Sequence, residues 1–117
     1  MEINIPGIDV KKGLELYDDD EEIYITVLTS YASNTPAVLD RIRNVTAENL
    51  PDYAITIHGV KGTSSLIGAE ETRKTALQLE MLAKAGDLAG VLALNETFLK
   101  NTDTMVAGIQ EWLKKNQ

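Results

Sequence analysis

Apolar residues recur at helical spacing along almost the whole chain, and no stretch alternates apolar and polar residues at period two. A half-buried strand needs that alternation, so no sheet is expected and helices should build the core. Ile23, Val27, Leu28, Tyr31, Val38, Leu39, Ile42 and Val45 keep the rhythm, which predicts one long helix over 19–45. It is expected to kink or restart near Asn34-Thr35-Pro36, since proline removes a helical donor and suits a first turn. Pro51 opens a helix that reaches Ile67 and breaks at Gly68; the next runs from Ala69 to Ala85. Ala85-Gly86-Asp87 then reads as a stop followed by a new N-cap. Leu88, Val91, Phe98, Leu99, Met105, Val106, Ile109 and Leu113 carry the final helix toward the chain's end. Ahead of these elements Asp9 caps a short helix through Tyr17, and Asp18-Asp19-Asp20-Glu21-Glu22 supplies carboxylates to the positive end of the long helix. The expected fold is all-α, an up-and-down antiparallel four-helix bundle with a short additional N-terminal helix, with residues 1–117 as a single domain.

Charge and residue usage narrow the function. Eighteen acidic against eleven basic residues give a net charge of −7, which repels phosphate backbones and anionic lipid heads. Nucleic acid and membrane surfaces are therefore poor partners. The chain has no cysteine, so thiol nucleophiles, thiolate metal sites and disulfides are excluded. No apolar run approaches the ~20 residues that span a bilayer, and Met1-Glu2-Ile3-Asn4-Ile5-Pro6-Gly7 lacks the basic and apolar regions of a secretory signal. A cytoplasmic, monomeric protein is the expectation, and the initial Met favours one that stands alone.

One segment breaks the helical rules. The sole histidine lies beside two glycines in Ile57-His58-Gly59-Val60-Lys61-Gly62-Thr63-Ser64-Ser65-Leu66-Ile67-Gly68. Each interior glycine costs a helix roughly 0.5–1 kcal/mol relative to alanine, so two within four residues need a reason. With His58 at zero on a wheel of about 100° per residue, Leu50, Tyr53, Ile57, Val60, Ser64 and Ile67 fall between about 180° and 280°. That arc is the core stripe, and His58 lies about 130° from its centre, facing solvent. Lys61, Gly62 and Ser65 share the histidine's face, while Ala54 and Ile55 flank it with apolar surface.

This face suits phosphoryl chemistry. Histidine has an ordinary pKa of about 6.5, so neutral imidazole is a competent nucleophile near pH 7. It can attack an acyl phosphate and hold the phosphoryl group as a phosphoramidate. Lys61, one turn along, brings an ammonium to the phosphoryl oxygens, and Gly62 leaves the approach clear. As an exposed lysine, Lys61 is expected to add little to stability. A lone histidine cannot build a zinc site, and nothing marks the orienting acid or oxyanion hole of a Ser-His catalyst.

At these residues the chain resembles the histidine phosphotransfer (HPt) domains of two-component phosphorelays. The family pattern, His-x-hydrophobic-Lys-Gly-x-Ser/Ala-x-x-hydrophobic-Gly, is met by His58, Val60, Lys61, Gly62, Ser64, Ile67 and Gly68. Leu79-Glu80 and Ala85-Gly86-Asp87 are also similar to the family, and the strong resemblance covers about residues 53–88. Gly59 departs from it, standing where members usually carry a side chain, and Val60 replaces the commoner leucine. The resemblance implies a phosphorelay intermediate: His58 takes a phosphoryl group from a receiver-domain aspartate and passes it to another. Lys61 would stabilise the phosphoryl group, Gly62 would give the partner clearance, and Ala54, Ile55, Ser65 and Leu66 would bind the partner. The partners implied are response-regulator receiver domains and a hybrid sensor kinase. The magnesium ion of the exchange belongs to the receiver, so this chain needs no cofactor or metal. No nucleotide-binding motif is present, so it is not an ATP-dependent kinase. Some relatives hydrogen-bond the histidine from the preceding helix, where Ser33, Asn34 or Thr35 is available.

A rival from another class is a helical adaptor that docks a receiver-like partner without phosphate transfer. It shares the apolar rim but has no use for His58. A small metal-dependent enzyme would need clustered ligands that the sequence lacks.

Overall fold

In the computed structural model, which describes residues 2–116, the periodicity resolves into five helices and no strand among the described residues. They are α1 (Val10–Glu15), α2 (Glu21–Asp40), α3 (Leu50–Ser65), α4 (Glu70–Lys84) and α5 (Leu88–Lys115). Three of them begin on an aspartate whose carboxylate accepts a first-turn N–H: Asp9 from Lys12, Asp20 from Ile23 and Asp87 from Gly90. Pro51 lies in the first turn of α3, where its missing donor costs nothing.

The long helix departs from expectation in two ways. α2 does not restart at Pro36 but runs through it as one helix. Proline has no N–H for the carbonyl four residues back, that of Ala32, and Gln110 Nε2 of α5 donates to this oxygen instead at 3.4 Å. α2 also ends at Asp40, not at 45. Arg41 and Ile42 tighten onto Val38 and Leu39, Asn95 Nδ2 takes the Ile42 carbonyl at 2.8 Å, and Asn49 Nδ2 takes that of Asn44 at 2.8 Å. Amide side chains thus satisfy carbonyls that helix continuation would have satisfied. Ile42 and Val45 stay buried as expected, although no helix carries them.

α3 packs on α4, α4 on α5, α5 on α2 and, more sparingly, α2 on α3, which closes a ring. Two apolar clusters fill it. One joins Leu39, Tyr53, Ile57, Leu79, Val91 and Phe98; the other joins Ile3, Ile5, Tyr24, Leu28, Ile67 and Ile109. The N-terminal residues therefore seal one end of the bundle.

Three tyrosines, Tyr17 and two from α2, anchor the exit of α3. Tyr17 OH donates to the Leu66 carbonyl and Tyr24 OH to that of Ile67, each at 2.7 Å, while Tyr31 OH lies 3.0 Å from Ser64 Oγ. Gly68 completes the turn with φ of +80°, and a Cβ there would stand 2.3 Å from the Asp9 carbonyl oxygen. Only glycine meets both demands.

Candidate functional site

The core stripe expected of α3 is buried: Leu50, Tyr53, Ile57, Val60, Ser64 and Ile67 all face inward. His58 consequently points outward, with 63% of its side chain exposed. It does not stand alone. His58 Nδ1 lies 2.6 Å from Glu80 Oε2 of α4, Lys61 Nζ donates to Glu80 Oε1 at 2.7 Å, and Lys84 Nζ sits 3.1 Å from Glu80 Oε2.

Glu80 is the centre of this cluster and is only 3% exposed. It follows Leu79 and lies one turn from Ala76 and Ala83, on the edge of the stripe that α4 buries. A carboxylate in that position must be paired, since desolvation alone would favour its neutral form. The Lys61 ammonium, aided by Lys84 and His58, outweighs burial and holds the Glu80 carboxyl down at about 2. It is ionised at neutral pH and can only accept hydrogen bonds. His58 Nδ1 must therefore donate in this bond, and Nε2 is the ring nitrogen without a partner among the described residues.

The other expected residues fall into place unevenly. Of Ser33, Asn34 and Thr35, none bonds His58: Asn34 donates to Ser30, Thr35 is buried beside Tyr31, and Glu80 from the following helix takes the role. At Gly62 and at Gly59 an added Cβ would meet nothing within 4 Å, so both leave open space beside the histidine. The helix continues through both glycines. Ile55 is 74% and Leu66 48% exposed. Ala54 is half-buried and packs on the core, and Ser65 turns its hydroxyl back to the Gly62 carbonyl at 2.6 Å, so neither presents a free group beside His58. Glu80 and Lys84 were the residues whose part the periodicity did not disclose. A carboxylate one residue from the centre of an apolar stripe was the available signal, because such a group demands a partner from a neighbouring helix.

The Hpt domain family matches the chain over residues 26–115. The matched span contains His58, Lys61, Gly62, Glu80 and Lys84, and omits the N-terminal segment and α1. No curated protein and no solved structure matches the chain.

Proposed function

The chain belongs to the Hpt domain family, and on that premise we propose that His58 is the phosphoacceptor of a multistep phosphorelay. Hpt domains work with receiver domains by histidine phosphotransfer, and the cluster around Glu80 gives that chemistry a physical basis. The Nε2 lone pair attacks the phosphorus of a receiver aspartyl phosphate. The N–P bond forms as the P–O bond to the aspartate breaks, and the carboxylate leaves with the bonding electrons. The ring, now phosphorylated on Nε2 and still protonated on Nδ1, carries positive charge, and the Glu80 carboxylate at 2.6 Å stabilises it. Lys61 is placed to turn from Glu80 toward the phosphoryl oxygens, and Lys84 keeps the carboxylate paired when it does. Transfer onward reverses these steps with a second receiver.

Gly62 leaves the receiver surface room to close on Nε2, and Ile55 and Leu66 supply the apolar rim. We read the four longer helices as an up-and-down antiparallel bundle working as a monomer in the cytoplasm. Receiver domains and a hybrid sensor kinase are its partners, and the magnesium ion is contributed by the receiver. The observation that carries this reading is the 2.6 Å approach of His58 Nδ1 to a buried, ionised carboxylate. The test is incubation with a phosphorylated receiver domain: acid-labile, base-stable phosphate appears on the wild type and is absent from His58→Gln.

A further inference from the structure

Where α3 ends, its last carbonyls run out of helical donors, and most of the replacements come from one stretch of chain. The Thr63, Ser64 and Ser65 carbonyls accept tightened-turn bonds from the N–H groups of Leu66, Ile67 and Gly68. The next three are served from elsewhere. Leu66 accepts from Tyr17 OH and Ile67 from Tyr24 OH, each at 2.7 Å, and Gly68 accepts from the Asp9 N–H at 2.9 Å beside that of Glu70 at 3.0 Å. Asp9, Tyr17 and Tyr24 all precede residue 26, where the span matched by the Hpt domain family begins. The residues around them allow this approach. Gly13 has no Cβ; one there would stand 2.6 Å from the Tyr24 ring and 2.7 Å from the Ile67 carbonyl oxygen. Tyr17 leans on Tyr24 with ring centroids 6.2 Å apart, and Lys12 Nζ reaches Glu70 Oε1 at 3.1 Å.

Tyr17 is the member of this clasp that acts at the surface. Tyr24 is fully buried, whereas Tyr17 is half-buried and holds the carbonyl of a residue whose side chain is exposed. Leu66 thus has its backbone tied down and its side chain free. An apolar side chain docks best in that state, because ordering a loose segment at an interface costs affinity. His58 lies eight residues back, about 12 Å along the helix axis. Its bond to Glu80, and those of Lys61 and Lys84 to the same carboxylate, involve none of the three clasping residues.

We propose that Tyr17 is a positioning residue for phosphotransfer: its hydroxyl fixes the Leu66 backbone, so that the Leu66 side chain meets the receiver in a set place. The segment ahead of the matched span thereby governs how tightly a receiver is held, and leaves the nucleophile alone. The inference rests on the phosphotransfer reading above, and within it on Leu66 as part of the apolar rim.

The test measures transfer to His58 from phosphorylated receiver domains, with phosphoramidate as a donor that brings no protein surface. Tyr17→Phe removes the hydroxyl and keeps the ring. It is expected to raise KM for the receiver about three- to tenfold, the worth of one hydrogen bond, with kcat within about twofold. Labelling by phosphoramidate should be unchanged. Leu66→Ala should also raise KM, and Tyr17→Phe should add less than about twofold in that background, since the two act through one group. Tyr53→Phe is the control: it loses a hydroxyl bond to Asn95 at the other end of α3, and should lower the urea midpoint while KM stays within about twofold. A wild-type KM in Tyr17→Phe would overturn the proposal even where the urea midpoint falls, because the hydroxyl would then serve the fold alone. So would a wild-type KM in Leu66→Ala, an equal rise in Tyr53→Phe, effects of Tyr17→Phe and Leu66→Ala that multiply, or loss of phosphoramidate labelling in Tyr17→Phe. Failure of the wild type to accept phosphate from any receiver would instead sink the phosphotransfer reading, and the proposal with it.

Discussion

Glu80 Oε2 lies 2.6 Å from His58 Nδ1, and this one contact decides which imidazole nitrogen is left without a partner among the described residues. The carboxylate is buried and ionised, so it takes the Nδ1 proton as a hydrogen bond and leaves Nε2 bare. Orientation comes with it, because the ring cannot rotate without breaking a charge-assisted bond.

Glu80→Gln is the first prediction. The amide keeps the shape but not the charge, and its NH₂ has no acceptor facing it among the Lys61 and Lys84 ammonium groups. Stability should fall by about 1–3 kcal/mol at pH 7, the scale of hydrogen bonds to charged groups. Phosphorylation of His58 should slow about 10- to 100-fold, as when a ring-orienting partner is lost elsewhere. Denaturant unfolding and a receiver-transfer time course measure the two effects. A variant that folds and transfers like wild type would remove Glu80 from the mechanism.

The same carboxylate sets a pH dependence. Its ordinary value is 4.5 and its folded value about 2, so the folded state binds this proton more weakly than the unfolded chain. The stability it contributes is complete above about pH 4.5 and disappears as pH falls toward 2. The gap between wild type and Glu80→Gln in urea midpoints should accordingly shrink from pH 6 to pH 3. A gap that stays constant over that window would show that ionisation of Glu80 is not what the fold uses.

Lys61→Ala should slow transfer or shorten the lifetime of phosphohistidine. From the sequence alone little loss of stability was expected, but the side chain is only 25% exposed and pairs with a buried carboxylate. We therefore expect a loss of about 1–2 kcal/mol, limited because Lys84 and His58 remain on Glu80. Rate, lifetime and unfolding midpoint all unchanged would exclude the residue.

Gly62 separates access from folding. A side chain at this position meets open space, so Gly62→Gln should fold normally. It should block receiver-dependent phosphorylation while phosphoramidate still reaches His58, because only the receiver brings a protein surface to the site. If both donors work equally well on the variant, clearance is not why the glycine is there.

The stripe of α3 was legible because burial on a helix repeats every 3.6 residues, and that alone turned His58 outward. The Asp N-caps at 9 and 87 were legible for a similar reason, since a cap acts within one turn. What escaped depends on contacts distant in the chain. α2 stops early because Asn95, 53 residues on, takes the Ile42 carbonyl, and no local pattern announces that bond. Pro36 is tolerated inside α2 because Gln110 serves the carbonyl it abandons. Ile3 and Ile5 are core residues without periodicity, since they lie in an irregular segment. Glu80 reaches His58 and Lys61 across a helix interface, and only the packing of α4 on α3 reveals the pairing.

The central claim is that His58 takes a phosphoryl group on Nε2. Phosphorylated receiver domain is mixed with ¹⁵N-histidine-labelled protein, and the ring nitrogens are followed by NMR. The account predicts a phosphorus-coupled Nε2, an Nδ1 that keeps its proton toward Glu80, and no phosphate on His58→Gln. Phosphate bound to Nδ1, or labelling that survives in His58→Gln, would contradict it.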